Sequence, residues 1–282
     1  MNFHQKPNIF VTEVTIKVQN LERSLSFYQK VMGFNILQQT KETAILTANG
    51  QTPLVTLEQP PNATPKQART TGLYHFALLL PSRSDLGRML QHLLNQNIPL
   101  GSSDHLVSEA VYLSDPDGNG IEVYCDRPSS QWTWNDGQVK MAVDPIDATA
   151  IIEEARGQKW TGLPEGTVMG HIHLHVSELE KTEEFYTMGL GFEVVSRFGH
   201  QALFISTGGY HHHIGLNTWN GAGAPKPSDN SVGLRSFTIH FPSKKQLNES
   251  IQLLTTMGAT VTEEDGRMHT EDPSGNRIFI KA

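Results

Sequence analysis

The chain has 282 residues, 37% of them hydrophobic and 18% charged, with a formal net charge of −7. That composition excludes wholesale disorder and fibrous structure, no apolar run approaches the roughly 20 residues of a membrane helix, and the acidic balance is a poor footprint for nucleic acid. The single cysteine, Cys125, excludes an internal disulfide and suits a reducing cytoplasm, and residues 1–10 carry no apolar secretory core.

In chain order, an alternating apolar strand is expected over Val11–Val18, followed by a helix over Leu21–Met32. Leu21, Leu25, Tyr28 and Met32 make one apolar helix face, and Gly33 stands where a helix C-terminal glycine belongs. The pattern repeats with a strand over Leu73–Leu80 and a helix over Ser84–Gln96, closing on the turn Asp115-Pro-Asp-Gly-Asn119 ahead of Glu122. From about Asp126 to Met169 the repeat is interrupted by a linker holding Trp132, Trp134 and a helix over Asp147–Arg156. It resumes with the strand His171–Val176 and helix Leu179–Met188, then with the strand Arg235–Phe241 and helix Lys245–Met257. The anchors Leu21-Glu22, Phe27-Tyr28 and Gly33-Phe34 recur at identical spacing as Leu179-Glu180, Phe185-Tyr186 and Gly191-Phe192. The second turn recurs as Asp272-Pro-Ser-Gly-Asn276. Three short strands complete each unit, so the expected fold is α+β, with four βαβββ modules. The expected organisation is an N-terminal half over 10–125, a linker over 126–169 and a C-terminal half over 170–282.

The fourfold layout, Leu-Glu-x4-Phe-Tyr-x5-Gly-Phe and Asp115-Pro-Asp-Gly-Asn-Gly-Ile-Glu122 resemble the vicinal oxygen chelate superfamily of glyoxalase I, bleomycin-resistance proteins and extradiol dioxygenases. The runs Gly170-His-Ile-His-Leu-His-Val176 and Gly208-Gly-Tyr-His-His-His-Ile-Gly-Leu-Asn217 are most similar to tandem catechol 2,3-dioxygenase-like proteins. The resemblance implies metal ligands from the first and last strands of two paired modules, which close into a pseudo-barrel cup. The first-strand positions are Glu13, His75, His171 and Ser236, and the last-strand positions include Glu122 and Phe279, with His213 placed at that register in module three.

Pairing modules in sequence order leaves neither cup with two histidines and a carboxylate. Pairing two with three, and one with four, gathers His75, Glu122 and His171 into one cup and leaves Glu13, Ser236 and Phe279 in a cup unable to hold a metal. The expected set of metal ligands is therefore His75, Glu122 and His171, a donor set suited to Fe(II), with Mn, Zn or Ni as alternatives. For proton transfer the candidates are His213, His211 and Tyr124; His213 is alternatively a fourth ligand, as in a glyoxalase. His173 and His175 are expected near the pocket, His105 at its mouth or in solvent, and Glu13 as a non-ligand.

The activity so implied is extradiol cleavage of a small aromatic diol with O2, in a cytoplasmic monomer or homodimer. Glyoxalase-type isomerisation, thiol transfer and non-catalytic binding of an aromatic ligand are the alternatives.

Overall fold

The computed structural model describes residues 2–282. Module one comprises β1 (Phe10–Lys17), α1 (Leu21–Lys30), β2 (Asn35–Gln39), β3 (Thr43–Thr47) and β4 (Val55–Glu58). Module two comprises β5 (Gly72–Leu79), α2 (Arg83–Asn95), β6 (Gly101–Asp104), β7 (Ser108–Ser114) and β8 (Gly120–Asp126). The linker carries a small hairpin, β9 (Trp134–Asn135) and β10 (Gln138–Val139), and the helix α3 (Ala148–Glu154). Module three comprises β11 (Val168–His175), α4 (Leu179–Glu184), β12 (Glu193–Phe198), β13 (Ala202–Ser206) and β14 (Ile214–Asn217). Module four comprises β15 (Gly233–His240), α5 (Lys244–Thr256), β16 (Val261–Glu264), β17 (Arg267–Glu271) and β18 (Arg277–Lys281).

Local chemistry sets the helix ends. Asn20, Ser82 and Ser243 each accept a hydrogen bond from the backbone N–H three residues on, which starts α1, α2 and α5. Gly33, Gly191 and Gly258 end the helical segments with φ of +81°, +80° and +85°; Asn97, at φ 55°, plays that part in module two. The helix expected over Leu179–Met188 is broken instead, running as α-helix to Glu184 and then as a wide π turn over Phe185–Gly189. The wide turn ends where Gly189 packs so closely on α5 that an added Cβ would lie 2.6 Å from Leu254.

The strands form two eight-stranded curled sheets, in the orders β12-β13-β14-β11-β5-β8-β7-β6 and β16-β17-β18-β15-β1-β4-β3-β2. Modules two and three thus share one sheet through the antiparallel β5–β11 pair, and modules one and four share the other through β1–β15. Helices tie sequence neighbours together. The buried Tyr28 of α1 donates to Asp115 at the module-two turn (3.2 Å), and Tyr186 donates to Asp272 at the module-four turn (3.2 Å). Both carboxylates also accept backbone N–H groups of their own turns, and burial raises both above the ordinary carboxyl range. Each sheet buries one face against helices in a shared apolar core that includes Tyr28, Met32, Phe76, Leu86, Ile172 and Tyr186.

No helix among the described residues is long and apolar enough to cross a membrane.

Candidate metal centre

Strand register builds the site. Ala77 on β5 stands opposite His171 on β11 and beside Glu122 on β8, and Glu122 stands opposite Tyr112 on β7. Laterally paired residues share a sheet face, so this row projects into one concavity. His75, two residues before Ala77, joins the same face. The small Ala77 side chain leaves the centre of the row open. Gly170 is the extra residue at a bulge between Met169 and His171; a Cβ there would lie 2.0 Å from the Tyr124 hydroxyl, so only glycine lets the strand turn His171 inward at this place.

His75 Nε2 lies 2.9 Å and His171 Nε2 3.1 Å from the same Glu122 Oε2, and all three side chains are nearly fully buried. One donor atom from each lies within 4.8 Å of the others. His75 Nε2, though 2.9 Å from Glu122 Oε2, lacks the alignment of a hydrogen bond to it, so the two buried atoms face one another as two donors to one cation would. Burial by itself would raise the Glu122 carboxyl, yet the two imidazoles hold it well below the ordinary range. Burial lowers His171 to about 4, against the pull of Glu122. An ionised Glu122 beside a neutral His171 imidazole is a ligand-ready form.

The expected register of His213 is corrected by the sheet. The module-three position equivalent to Glu122 is Gly215, because Ile214 pairs with Ile172 as Ile121 pairs with Phe76. A Cβ on Gly215 would lie 2.8 Å from the His173 ring, so His173 occupies the space a fourth ligand would need. His213 faces away from the trio: its Nε2–H donates to the Phe3 carbonyl (3.2 Å) and its ring packs against His4 and Tyr210. Tyr124 lies over His171, with its hydroxyl 2.6 Å from that of Tyr210 rather than in the cavity. His211 is also fully buried, with Nε2 2.8 Å from Asp126 Oδ1 and Nδ1 2.8 Å from His212 Nδ1. None of these three lines the cavity beside His75 and Glu122.

Their place is taken by His212, whose ring lies tilted against that of His171 with centroids 4.1 Å apart and which lines the cavity. With Nδ1 committed to His211, its Nε2 is left for a ligand. Burial, and then the neighbouring imidazoles, lower its pKa well below the ordinary value. Tyr112 donates its hydroxyl to His105 Nε2 at 2.5 Å, and His105 Nδ1–H donates to the Ala142 carbonyl at 2.7 Å. His173 stands at the cavity wall against Tyr74 and Trp219, whereas His175 bonds Asn217 and lines a neighbouring groove. The cavity that His75 and Glu122 line has a volume of about 430 Å³. In the other cup the equivalent space is filled: Arg267 stacks 3.8 Å over Phe279 and lies 3.5 Å from Glu13.

A family model for the Glyoxalase/Bleomycin resistance protein/Dioxygenase superfamily matches residues 11–123 and 168–280. A protein named catechol-2,3-dioxygenase from Bacillus subtilis (strain 168) is 44% identical over 275 residues, covering 96% of each chain. Among solved structures, a protein of Bacillus subtilis subsp. subtilis str. 168 superposes with a TM-score of 0.65 at 15% identity, over 96% of this chain and 84% of that one. Glyoxalase I from Zea mays superposes with a TM-score of 0.59 at 14% identity, over 96% of this chain and 92% of that one. At such identities these two structures attest the fold alone.

Proposed function

The chain belongs to the Glyoxalase/Bleomycin resistance protein/Dioxygenase superfamily, and from that premise we propose that it is a metal-dependent extradiol dioxygenase that opens a catechol-like aromatic diol with O2. The observation that carries this reading is the convergence of His75, Glu122 and His171, the first two of them lining a cavity, with Gly215 where a fourth protein ligand would stand. Two imidazoles and one carboxylate suit Fe(II), and Mn, Zn or Ni satisfy the same donors less selectively. When bound, the ion supplies Lewis acidity toward the diol and a place for O2 beside it.

The chain's own groups do the rest. Glu122 would offset part of a bound cation's charge, and Gly215, in place of a fourth protein ligand, would leave room for substrate beside it. His212 takes a diol proton at Nε2 and returns it as the ring opens, held in that tautomer by His211, which Asp126 holds in turn. The Tyr112–His105 pair presents a hydrogen-bonding edge beside Glu122. The C–C bond beside the diol breaks and both oxygen atoms enter the product, so no separate reductant is needed.

The halves 10–125 and 170–282 work as one unit across the linker 126–169, and the cup is complete within a single chain, so monomer and homodimer are equally competent. Cys125, whose thiol burial and then Asp126 push up to about 12, is inert, and a thiol of that kind suits the cytoplasm.

The test is anaerobic loading with Fe(II), followed by O2 uptake and ring-opened product with catechol. His75→Ala, His171→Ala and Glu122→Ala are each expected to lose bound metal by elemental analysis and turnover by at least about a hundredfold. A wild-type protein that takes up no metal after reconstitution would sink the reading.

A further inference from the structure

The cavity changes character from floor to mouth. Its floor is polar, with Glu122, His75 and His212, whereas its outer wall is formed by Tyr74, Phe198, Phe204, Trp219, Met141 and Val143. Several of these are large apolar groups left in contact with solvent: Val143 is 71% exposed, Phe198 57%, Trp219 42% and Tyr74 41%. Exposed apolar groups gathered on one rim mark a surface built to meet a ligand.

Met141 and Val143 come from the linker, not from a module. Residues 141–143 are drawn over the cavity by the His105 Nδ1–Ala142 carbonyl bond (2.7 Å), by the Ala142 N–His105 carbonyl bond (3.3 Å), and by a backbone pair between Asp104 and Asp144 (2.8 and 3.0 Å). Arg197 is the guanidinium on the cavity wall, and it is already committed: its two terminal nitrogens bond both oxygens of Glu183 at 2.8 and 2.6 Å. An anionic substituent entering here meets an engaged cation and an apolar wall, whereas an alkyl or aryl substituent finds apolar surface. At about 430 Å³ the cavity is in the size class of a substituted molecule rather than a bare ring.

We infer that this site, read as an extradiol dioxygenase, is specific for catechols bearing an uncharged apolar substituent, which lies against the rim of Phe198, Trp219 and the linker residues Met141 and Val143, and that it discriminates against carboxylated catechols. The inference rests on the proposed function for the placement of the diol.

The test uses the full chain loaded with Zn(II), so that binding is read without turnover. Calorimetry compares 4-butylcatechol with 3,4-dihydroxyphenylacetate. The alkyl compound is expected to bind at least about tenfold more tightly, since burying part of a butyl chain supplies that much. Val143→Lys adds a cation to the exposed rim, and Glu183→Gln releases Arg197; each is expected to narrow the ratio about fivefold, the size of an exposed ion pair. If one variant fails to fold, the other reads the same effect. Equal or tighter binding of the acid, a ratio moved by neither variant, or no binding of either catechol overturns the inference. O2 uptake by the Fe(II) form separates the two ideas. A preserved ratio with no ring opening defeats the dioxygenase reading and leaves the rim standing, while ring opening with the acid preferred does the reverse.

Discussion

Single residues make up the candidate site, and the three that converge are legible in the sequence. His75, Glu122 and His171 occupy equivalent strand positions in a repeat, and repetition is what lifted two histidines and one glutamate out of a background of 13 histidines. The error was His213. Strand alternation predicts a shared face for His211 and His213, but that run lies in a turn after Gly208 and Gly209, at φ of 66° and 72°, and β14 begins only at Ile214. Alternation has no meaning in a turn, which is why His212 escaped notice. Other histidines set the acid limit of the fold. Burial lowers His4 and His213 below the ordinary imidazole value of 6.5, the His4–Gly170 and His213–Phe3 carbonyl bonds opposing it. As pH falls below that value the unfolded chain takes up protons that the folded chain refuses. The stability present above pH ~6.5 is therefore lost on acidification, at up to about 1.4 kcal/mol per pH unit for each site. Urea denaturation of the metal-free protein at pH 7, 6 and 5 is expected to show this decline, and His4→Gln, which keeps a donor for Gly170, is expected to flatten it.

Elements were legible where one periodicity ran unopposed. The helix α2 was expected over Ser84–Gln96 and runs over Arg83–Asn95, because its apolar face and its cap agree. The Ser82 hydroxyl accepts from the Asp85 N–H at 3.1 Å. Ser82→Ala is expected to cost about 1 kcal/mol in the denaturation midpoint and to leave metal content unchanged, since α2 packs behind the sheet. What escaped reading were irregularities that serve tertiary contacts. The π turn at Phe185–Gly189 answers the approach of α5, and the bulge at Gly170 answers the Tyr124 ring. Both partners lie far away in the chain, so no local window contains the cause.

At the scale of the molecule, the pairing of modules two with three followed from where ligand-type residues stood, and the sheet orders have that pairing. The helix contacts run the other way, Tyr28 to Asp115 and Tyr186 to Asp272, so each module is held by a sheet partner and a different helix partner. A chain cut at the exposed linker turn Asp136–Gly137 would leave His75 and Glu122 on one fragment and His171 on the other. Neither fragment is expected to retain metal in elemental analysis, and mixing the two before loading is expected to restore it. The two sheets are also nested like brackets, the strand pair joining modules two and three enclosed by the pair that sets Phe10 against His240. Closing the outer pair means closing a far longer loop, which is slow on entropic grounds. During synthesis, the strands of the cup that holds His75, Glu122 and His171 have all emerged once β14 is complete, while β15 to β18, which complete the outer sheet, are still unmade. The cup with the candidate ligands is therefore the one whose strands are first available to pair, and the other closes around it as a wrapper.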